Sequence, residues 1–523
     1  MEVKNKMNEK QLQDKINGTI WSACDTLRSS IPGGNYKDYA LVMLFVKYLS
    51  DTYKEEKEKA NEMYEGNEQM IERYLSRSKF ILKEECTFDY LYSKKNEDNI
   101  GEIINKALET ITTLNGVKLL NLFAGVDFNS EVVFGKKKEK NAILKTLLSD
   151  FNNDDIDLRP SKIGNLDVIG NAYEYLIARF AGDSGKKGGE FYTPAEVSIL
   201  LAKLVEPKEN DRIYDPACGS GSLLLKAAKE VKDKKVSVYG QESNSSTYNL
   251  CRMNMFLHGV NDAHIEWGDT LANPLHLEHD DLMKFDVIVS NPPFSLDKWA
   301  KGFEPSNSTI IDDGKKKNTF KMEASMDPYN RFEYGVPPKS IGDYAFIQHM
   351  LKSLDEEDGR MAVVLPHGAL FRGASEGLIR QRILENNLID AVIGLPENLF
   401  YGVSIPATIV VFKKNRIRKD VLFIEASREY AKGKNQNTLT KENIQKILET
   451  YKNYTEVEKY SHVATMDEIK ENEYNLNIKR YVDTFEEEEE IDIEETKKNI
   501  GKINEELQVL EKKLQESLKE LGL

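Results

Sequence analysis

Apolar residues in the first third of the chain recur every three or four positions. Ile20, Leu27, Leu41, Leu44, Phe45, Tyr48 and Leu49 keep this step, the spacing that gathers side chains on one face of an α-helix. Glycine and proline are scarce there apart from Ile31-Pro32-Gly33-Gly34, so residues 8 to 150 predict a helical region. The polar stretch Phe151 to Pro160 reads as a linker, and a further helix over Val168 to Ala181 leads to the loop Gly182 to Gly189.

From residue 190 to about 415 the pattern changes. Short apolar runs alternate with helical stretches: Arg212–Asp215, Val236–Tyr239, Phe285–Ser290, Arg360–Leu365, Ile389–Ile393 and Thr408–Phe412. β-rich, mainly apolar runs separated by helices belong inside a sheet covered on both faces, which predicts an α/β architecture. Ser295 to Gly342 is polar and without a period, and reads as a long loop or small insertion. After Lys414 the chain is polar and lysine-rich. It ends in an amphipathic helix whose Ile500, Ile503, Leu507, Leu510, Leu514 and Leu521 lie near heptad spacing, interrupted by Ser517. Two readings stand side by side: a seam for pairing with a partner helix, and a helix packed back on its own domain. The expected organisation is a helical domain over 1–160, an α/β domain over 161–415 and a C-terminal region over 416–523 that carries this helix.

The most informative segment is Asp215-Pro-Ala-Cys-Gly-Ser-Gly-Ser222, which follows a predicted strand and opens a helix. Gly219, Ser220, Gly221 and Ser222 let the backbone turn sharply beside a ligand, and the helix start offers free N–H groups. Glu242 closes the next strand about 20 residues on, the distance at which a carboxylate grips ribose hydroxyls. Position 224 is leucine, so the third glycine of a dinucleotide fingerprint is missing, and no Lys-Ser/Thr pair marks a phosphate loop. Asp215 would repel phosphate but suits the ammonium of an amino-acid-bearing cofactor. S-adenosylmethionine fits all of these features better than a plain glycine turn does. Asp269, in Glu266-Trp-Gly-Asp-Thr270, falls next in order and is a candidate acceptor for the cofactor's adenine amino group, although a Gly-Asp pair alone is usually a turn.

Asn291-Pro292-Pro293-Phe294 ends the strongest predicted strand. Two prolines stop strand pairing and hold the backbone extended. The Asn291 side-chain oxygen and the Pro292 carbonyl then form two acceptors for the two hydrogens of an adenine N6 amino group. Drawing both hydrogens turns the nitrogen toward tetrahedral geometry and frees its lone pair to attack a sulfonium methyl. Phe294 supplies a stacking face for a base flipped out of the duplex. No metal, general base or covalent nucleophile is called for.

Charge and cysteine content refine this picture. The 523 residues carry a net charge of −15, from 72 basic and 87 acidic side chains. DNA binding needs Lys and Arg against phosphate, so the chain is expected to hold DNA weakly by itself and to rely on a partner. The charge is uneven: Glu486 to Glu490 with Asp492, Glu494 and Glu495 form an acidic block, while Lys136–Lys138, Lys186/Lys187 and Lys315–Lys317 are basic. The last cluster reads as a solvated loop rather than a DNA contact. Cys24, Cys86, Cys218 and Cys251 lie far apart without a CxxC pair, which suits a reducing cytoplasm and not a disulfide or zinc framework. No apolar run nears the ~20 residues of a membrane span, and the polar Met1 to Gln11 has no signal-peptide core. His276 and His279 are read as surface histidines; Gly368, Arg372 and Gly373, at the ligand-binding edge of the sheet, have two readings, a lining of the DNA side and a structural turn.

Taken in order, Asp215-Pro-Ala-Cys-Gly-Ser-Gly221 and Asn291-Pro-Pro-Phe294 resemble the amino-methyltransferase superfamily. Gly188-Gly-Glu-Phe-Tyr-Thr-Pro194, Leu365-Pro-His-Gly-Ala-Leu-Phe-Arg372, Val392-Ile-Gly-Leu-Pro-Glu-Asn-Leu-Phe400 and Glu473-Tyr-Asn-Leu-Asn-Ile-Lys-Arg-Tyr481 narrow the resemblance to the modification subunits of type I restriction–modification systems, over nearly the whole length. The resemblance implies a Rossmann-like methyltransferase domain between an N-terminal helical domain and a C-terminal helical tail. It also implies adenine-N6 methylation of DNA, with Glu190, Phe191, Tyr192, Thr193, Pro194 and Ala195 lying against the cofactor's methionine end. The partners it implies are DNA, a specificity subunit that sets the target, a second modification subunit and, optionally, a restriction subunit. The Asn-Pro-Pro-aromatic tetrapeptide also serves enzymes acting on RNA adenine or protein glutamine, which is the alternative. A non-catalytic scaffold is disfavoured because every residue the chemistry needs is present.

Overall fold

The computed structural model describes residues 9–31, 36–163, 166–183, 192–304, 309–312, 315–318, 321–402, 404–434, 436–483 and 493–520. Among them is one nine-stranded sheet, built from β1 (Arg212–Asp215), β2 (Ser237–Glu242), β3 (His264–Trp267), β4 (Val287–Ser290), β5 (Arg360–Pro366), β6 (Ile389–Gly394), β7 (Ala407–Lys413), β8 (Val421–Glu425) and β9 (Ser461–Ala464). Its order is β9-β8-β6-β7-β5-β4-β1-β2-β3. The strands from β3 to β5 run parallel, β7 lies antiparallel between β5 and β6, and β9 lies antiparallel on β8.

Side-chain alternation explains why these runs are strands buried on both sides. Ile213, Val287, Val289, Ala362, Val364, Ala391 and Ile393 face a core shared with the helices Ala195–Val205, Ser222–Lys229 and Lys441–Asn453. The residues between them, Tyr214, Ile288, Met361, Val363, Leu365 and Val392, face a second core with the helices Asp343–Ser353 and Ala374–Glu385. A period of two with both sides apolar leaves these strands no solvent-facing alternative.

The order of the central strands decides where ligands go. The chain runs outward from β1 through β2 to β3, then returns to place β4 on the other side of β1. The carboxyl ends of β1 and β4 therefore flank the point where the winding reverses, which is where open α/β sheets bind their ligands. Asp215 ends β1 and Ser290 ends β4.

The N-terminal helices pack around Tyr36–Met63, which is buried without a break from Tyr39 to Asp51. Their core is continuous with Leu250, Met253, Phe256 and Leu257 of the helix Ser245–Leu257 behind β2. Polar contacts join the two regions: Ser246 Oγ donates to Asp38 at 2.9 Å, and Asn249 Nδ2 donates to the Ala124 carbonyl at 3.0 Å.

Three expectations change. The sheet does not end near residue 415: β8 and β9 continue it, and the compact unit runs through Val482, with Asp483–Leu523 forming a second unit. His276 is not a surface residue. It is 9% exposed, its ring is packed by Tyr214, Tyr239 and Phe285, and its Nε2 bonds the Gly240 carbonyl at 2.9 Å, whereas His279 is exposed. The polar stretch after residue 294 contains short helical turns, a two-stranded hairpin (Thr309–Asp312 with Lys315–Asn318) and buried Trp299, Arg331 and Phe332. Arg331 is buried because all its donors are taken. It pairs with Asp327 at 2.8 Å, donates to the carbonyls of Thr270 and Leu271 at 3.1 and 2.8 Å, and reaches His349 Nδ1 at 3.3 Å.

The second unit holds the helix Ile493–Glu520. Ile500, Ile503, Leu507, Leu510 and Leu514 are each more than half exposed on it, while Leu521 lies outside the described residues. Among the described residues no helix is long and apolar enough to cross a membrane, and no cluster of His, Cys, Asp and Glu could hold a metal ion.

Candidate active site

The turn from β1 into the helix Ser222–Lys229 is held from several directions. Cys218 N–H donates to the Gln241 carbonyl of β2 at 3.1 Å, Asn254 Nδ2 to the Ser220 carbonyl at 3.0 Å, and Thr270 Oγ1 to the Pro216 carbonyl at 2.6 Å. Gly219 and Gly221 take φ of +54° and +77°, the left-handed region that side chains avoid. At Gly221 a Cβ would also lie 2.6 Å from Met255 Cε and 2.7 Å from Cys251 Sγ. Glycine is therefore required there by both dihedral and space.

Asp215 is 2% exposed, and its Oδ1 accepts from Ala217 N–H at 3.0 Å and from Ser290 Oγ at 2.7 Å. Burial pushes its carboxyl up to about 7, against the pull of these two donors. Glu242, at the end of β2, accepts from Gly219 N–H at 3.0 Å through one oxygen and from Asn244 N–H at 2.8 Å through the other. Burial raises its carboxyl too.

Asn291 follows β4 directly. Its Nδ2 donates to Thr193 Oγ1 at 3.0 Å, while its Oδ1 is buried and accepts no hydrogen bond among the described residues. A buried acceptor left open is costly, and it points to a donor that arrives with a ligand. Thr193 comes from the segment before the helix Ala195–Val205, which Pro194 caps. Pro292 is buried, and Phe294 packs edge-on against Phe400 with ring centres 6.1 Å apart.

Tyr192, Thr193, Asp215, Ala217, Cys218, Gly219, Ser220, Ser222, Leu223 and Asn291 line one recess. The sequence-derived cofactor and catalytic motifs thus meet, although 76 positions separate Asp215 from Asn291. The lining has one carboxylate and no cation, which suits an ammonium-bearing ligand and not a phosphate. Tyr192 is 6% exposed and tilts against Tyr401 at 6.0 Å. Glu242 reaches the recess through Gly219. Asp269 is exposed, and its Oδ1 is already used in a turn by Leu271 and Ala272 N–H at 2.9 and 3.2 Å. Glu190 and Phe191 lie outside the described residues.

Sequence reasoning passed over Ser290, Asn254 and Thr270. Ser290 had a signal, a small hydroxyl residue directly before Asn291 at a strand end. Asn254 and Thr270 act across the fold and had none. Arg372, read as part of a turn or of a DNA-facing lining, is ion-paired with Asp343 and, at 2.6 Å, with Glu376.

A winding-reversal site with an acidic strand end, a glycine turn and an amide acceptor defines a methyltransferase that acts on an amino group. Residues 164–490 match the N-6 DNA methylase family, and residues 16–151 match the HsdM N-terminal domain. The methylase subunit of the type I restriction enzyme MpnII of Mycoplasma pneumoniae is 34% identical, with 98% of each chain covered. That of MjaVIII of Methanocaldococcus jannaschii is 33% identical over 95% of this chain and 83% of its own. The crystal structure of a type I restriction–modification methyltransferase subunit from Streptococcus thermophilus superposes with a TM-score of 0.77 at 34% identity, covering 90% of this chain and all of that one. The chain belongs to the N-6 DNA methylase family, as a type I restriction–modification methylase subunit. Its reaction is methylation of adenine N6 in DNA, and its methyl donor is S-adenosylmethionine. The match supports DNA over RNA adenine or protein glutamine as the substrate.

Gly221→Ala is expected to destabilise the fold by about 1–3 kcal/mol, from the dihedral and the displaced neighbours together, and to weaken cofactor binding at least tenfold. Urea unfolding and calorimetric titration with S-adenosylmethionine measure the two effects, and a variant that binds like the native chain contradicts the assignment of this turn.

Proposed function

We propose that Asn291 Oδ1 and the Pro292 carbonyl receive the two N6 hydrogens of a flipped adenine, that Phe294 stacks on the base, and that Pro293 fixes this geometry. The observation that carries the reading is the buried, unpartnered Asn291 Oδ1 in the same recess as Asp215. Two acceptors on the amino group localise its lone pair on nitrogen, and preorganised acceptors act without reorganising during reaction. S-adenosylmethionine bound there would supply an electrophilic sulfonium methyl, the carbon–sulfur electron pair leaving with sulfur, and one N6 proton would pass from the methylated nitrogen to solvent. Asp215 holds the cofactor's ammonium, and Ser290 keeps that carboxylate in place. Gly219, Ser220, Gly221 and Ser222 shape the bed beneath it, with Tyr192, Thr193, Pro194 and Ala195 against its methionine end. Glu242 takes the ribose hydroxyls. Asp269 has one oxygen left over from its turn for the adenine amino group.

As a methylase subunit the chain works in a complex with other subunits. The finer assembly is part of the proposal: a specificity subunit reads the target, a second copy of this chain joins it, a restriction subunit is optional, and the complex works in the cytoplasm. The exposed apolar row from Ile500 to Leu514 supports pairing with a helix of the specificity subunit.

Asn291→Ala should keep cofactor affinity and lose about 10²–10³-fold in methyl transfer, measured with labelled cofactor on DNA in the presence of the specificity subunit. Near-native turnover would remove Asn291 from the mechanism. The Asp215 carboxyl, pushed up to about 7, is protonated below that pH and cannot pair with an ammonium. Cofactor affinity should therefore fall about tenfold per unit below pH 7 and level off above it, with proton release on binding in the acidic range. Asp215→Asn should bind weakly with a flat profile; a native pH profile in that variant refutes the assignment. Removing residues 498–523 should impair co-elution with the specificity subunit in gel filtration while cofactor affinity stays unchanged. Full assembly of the truncated chain rules the helix out as the docking element.

A further inference from the structure

We propose that Asp343, anchored by Arg372, is a positioning residue that holds Phe294 in place by clamping the peptide that follows it. The proposal rests on the reading of Phe294 as the base-stacking ring. Ser295 has φ of +51°, in the left-handed region that serine avoids. Two contacts hold it there: Ser295 N–H donates to Asp343 Oδ1 at 2.7 Å, and Ser295 Oγ donates to Asp343 Oδ2 at 3.4 Å.

Asp343 is 1% exposed at the start of the helix Asp343–Ser353, and Glu376 is equally buried. The Arg372 guanidinium bridges the two carboxylates. It donates to Asp343 Oδ2 and, through Nε and Nη2, to both oxygens of Glu376 at 2.6 and 3.1 Å. Its own carbonyl accepts from Arg380 Nη1 at 3.0 Å, so the anchor is fixed in turn. Gly342 completes the seat, since a Cβ there would lie 3.1 Å from Trp299 Cβ and 3.3 Å from Leu296 Cβ. The bend after Phe294 is thus pinned at its first peptide and packed against Gly342 at Leu296 and Trp299. Neither Asp343 nor Arg372 lines the recess that holds Asp215 and Asn291. Their effect should fall on the base and not on the cofactor.

The test uses the full chain assembled with its specificity subunit. Single-turnover transfer to unmodified plasmid DNA is measured at saturating labelled cofactor, beside calorimetric cofactor binding and hydrogen exchange of the peptide 290–299. Asp343→Ala is expected to slow transfer tenfold or more, to leave cofactor affinity within about twofold, and to speed exchange at Ser295. Adding Ser295→Gly should restore about fivefold of the rate, because glycine accepts the left-handed bend without a clamp. Arg372→Lys, a point cation in place of a fork, should fall between native and Asp343→Ala. Unchanged exchange in Asp343→Ala refutes the clamp; faster exchange with native transfer refutes its positioning role. A double variant as slow as the single one, or a lost cofactor affinity, assigns Asp343 to general folding and overturns the proposal. A Phe294→Ala chain with native turnover refutes the stacking reading instead, and the exchange result stands apart from it.

Discussion

The hydrogen bond from Ser290 to Asp215 is the contact on which the site depends. It joins the ends of two neighbouring strands at the place where the sheet reverses its winding, and it is made to a carboxylate with almost no access to water. One strand leads into the glycine turn and the other into the Asn-Pro-Pro-Phe tetrapeptide. The two motifs therefore cannot shift relative to each other without breaking a buried contact. The same burial that makes this carboxylate costly to ionise strengthens its attraction for a cation placed beside it. Asn291 repeats the theme with an unpartnered acceptor a short distance along the same recess.

Around that contact the protein is built in shells of decreasing regularity. The strands are fixed by apolar alternation, the turn after β1 by bonds from three separate segments, and the stretch beyond Phe294 by buried charges. Arg331 and Arg372 do in the irregular region what backbone pairing does in the sheet. Each guanidinium satisfies several acceptors at once and ties loop to helix. Such groups are retained only where their bonding is complete, because a buried charge missing one partner is far costlier than an apolar substitute.

This division also explains what the amino-acid sequence disclosed. Phe285–Ser290 and Arg360–Leu365 announced themselves because β-branched and other apolar residues dominate them, and the site motifs because glycine, proline and asparagine sit at fixed offsets from such runs. Val421–Glu425 is equally apolar and equally a strand, but its polar, lysine-rich surroundings disguised its place in the sheet. His276 looked solvated beside Asn273-Pro274; three aromatic rings from distant segments enclose it. Arg331 and Asp343 were hidden for the same reason. A charged residue in a polar stretch reads as surface, and only the meeting of Asp327, Thr270 and Leu271, or of Ser295 and Arg372, makes it interior. What depends on long-range partners left no local mark.

The antiparallel β7 has a consequence for how such an enzyme can change. Because β7 runs opposite to β6 and pairs with it, the chain leaves β6 and re-enters the sheet on the same edge, the edge that carries Asp215 and Asn291. The connection, with Phe400 against Phe294, never has to cross the protein. Its length and composition are therefore free of the strand registers on either side. Residues could be inserted or exchanged there without a strand changing partner, so the surroundings of Phe294 can diverge while the scaffold beneath them stays constant.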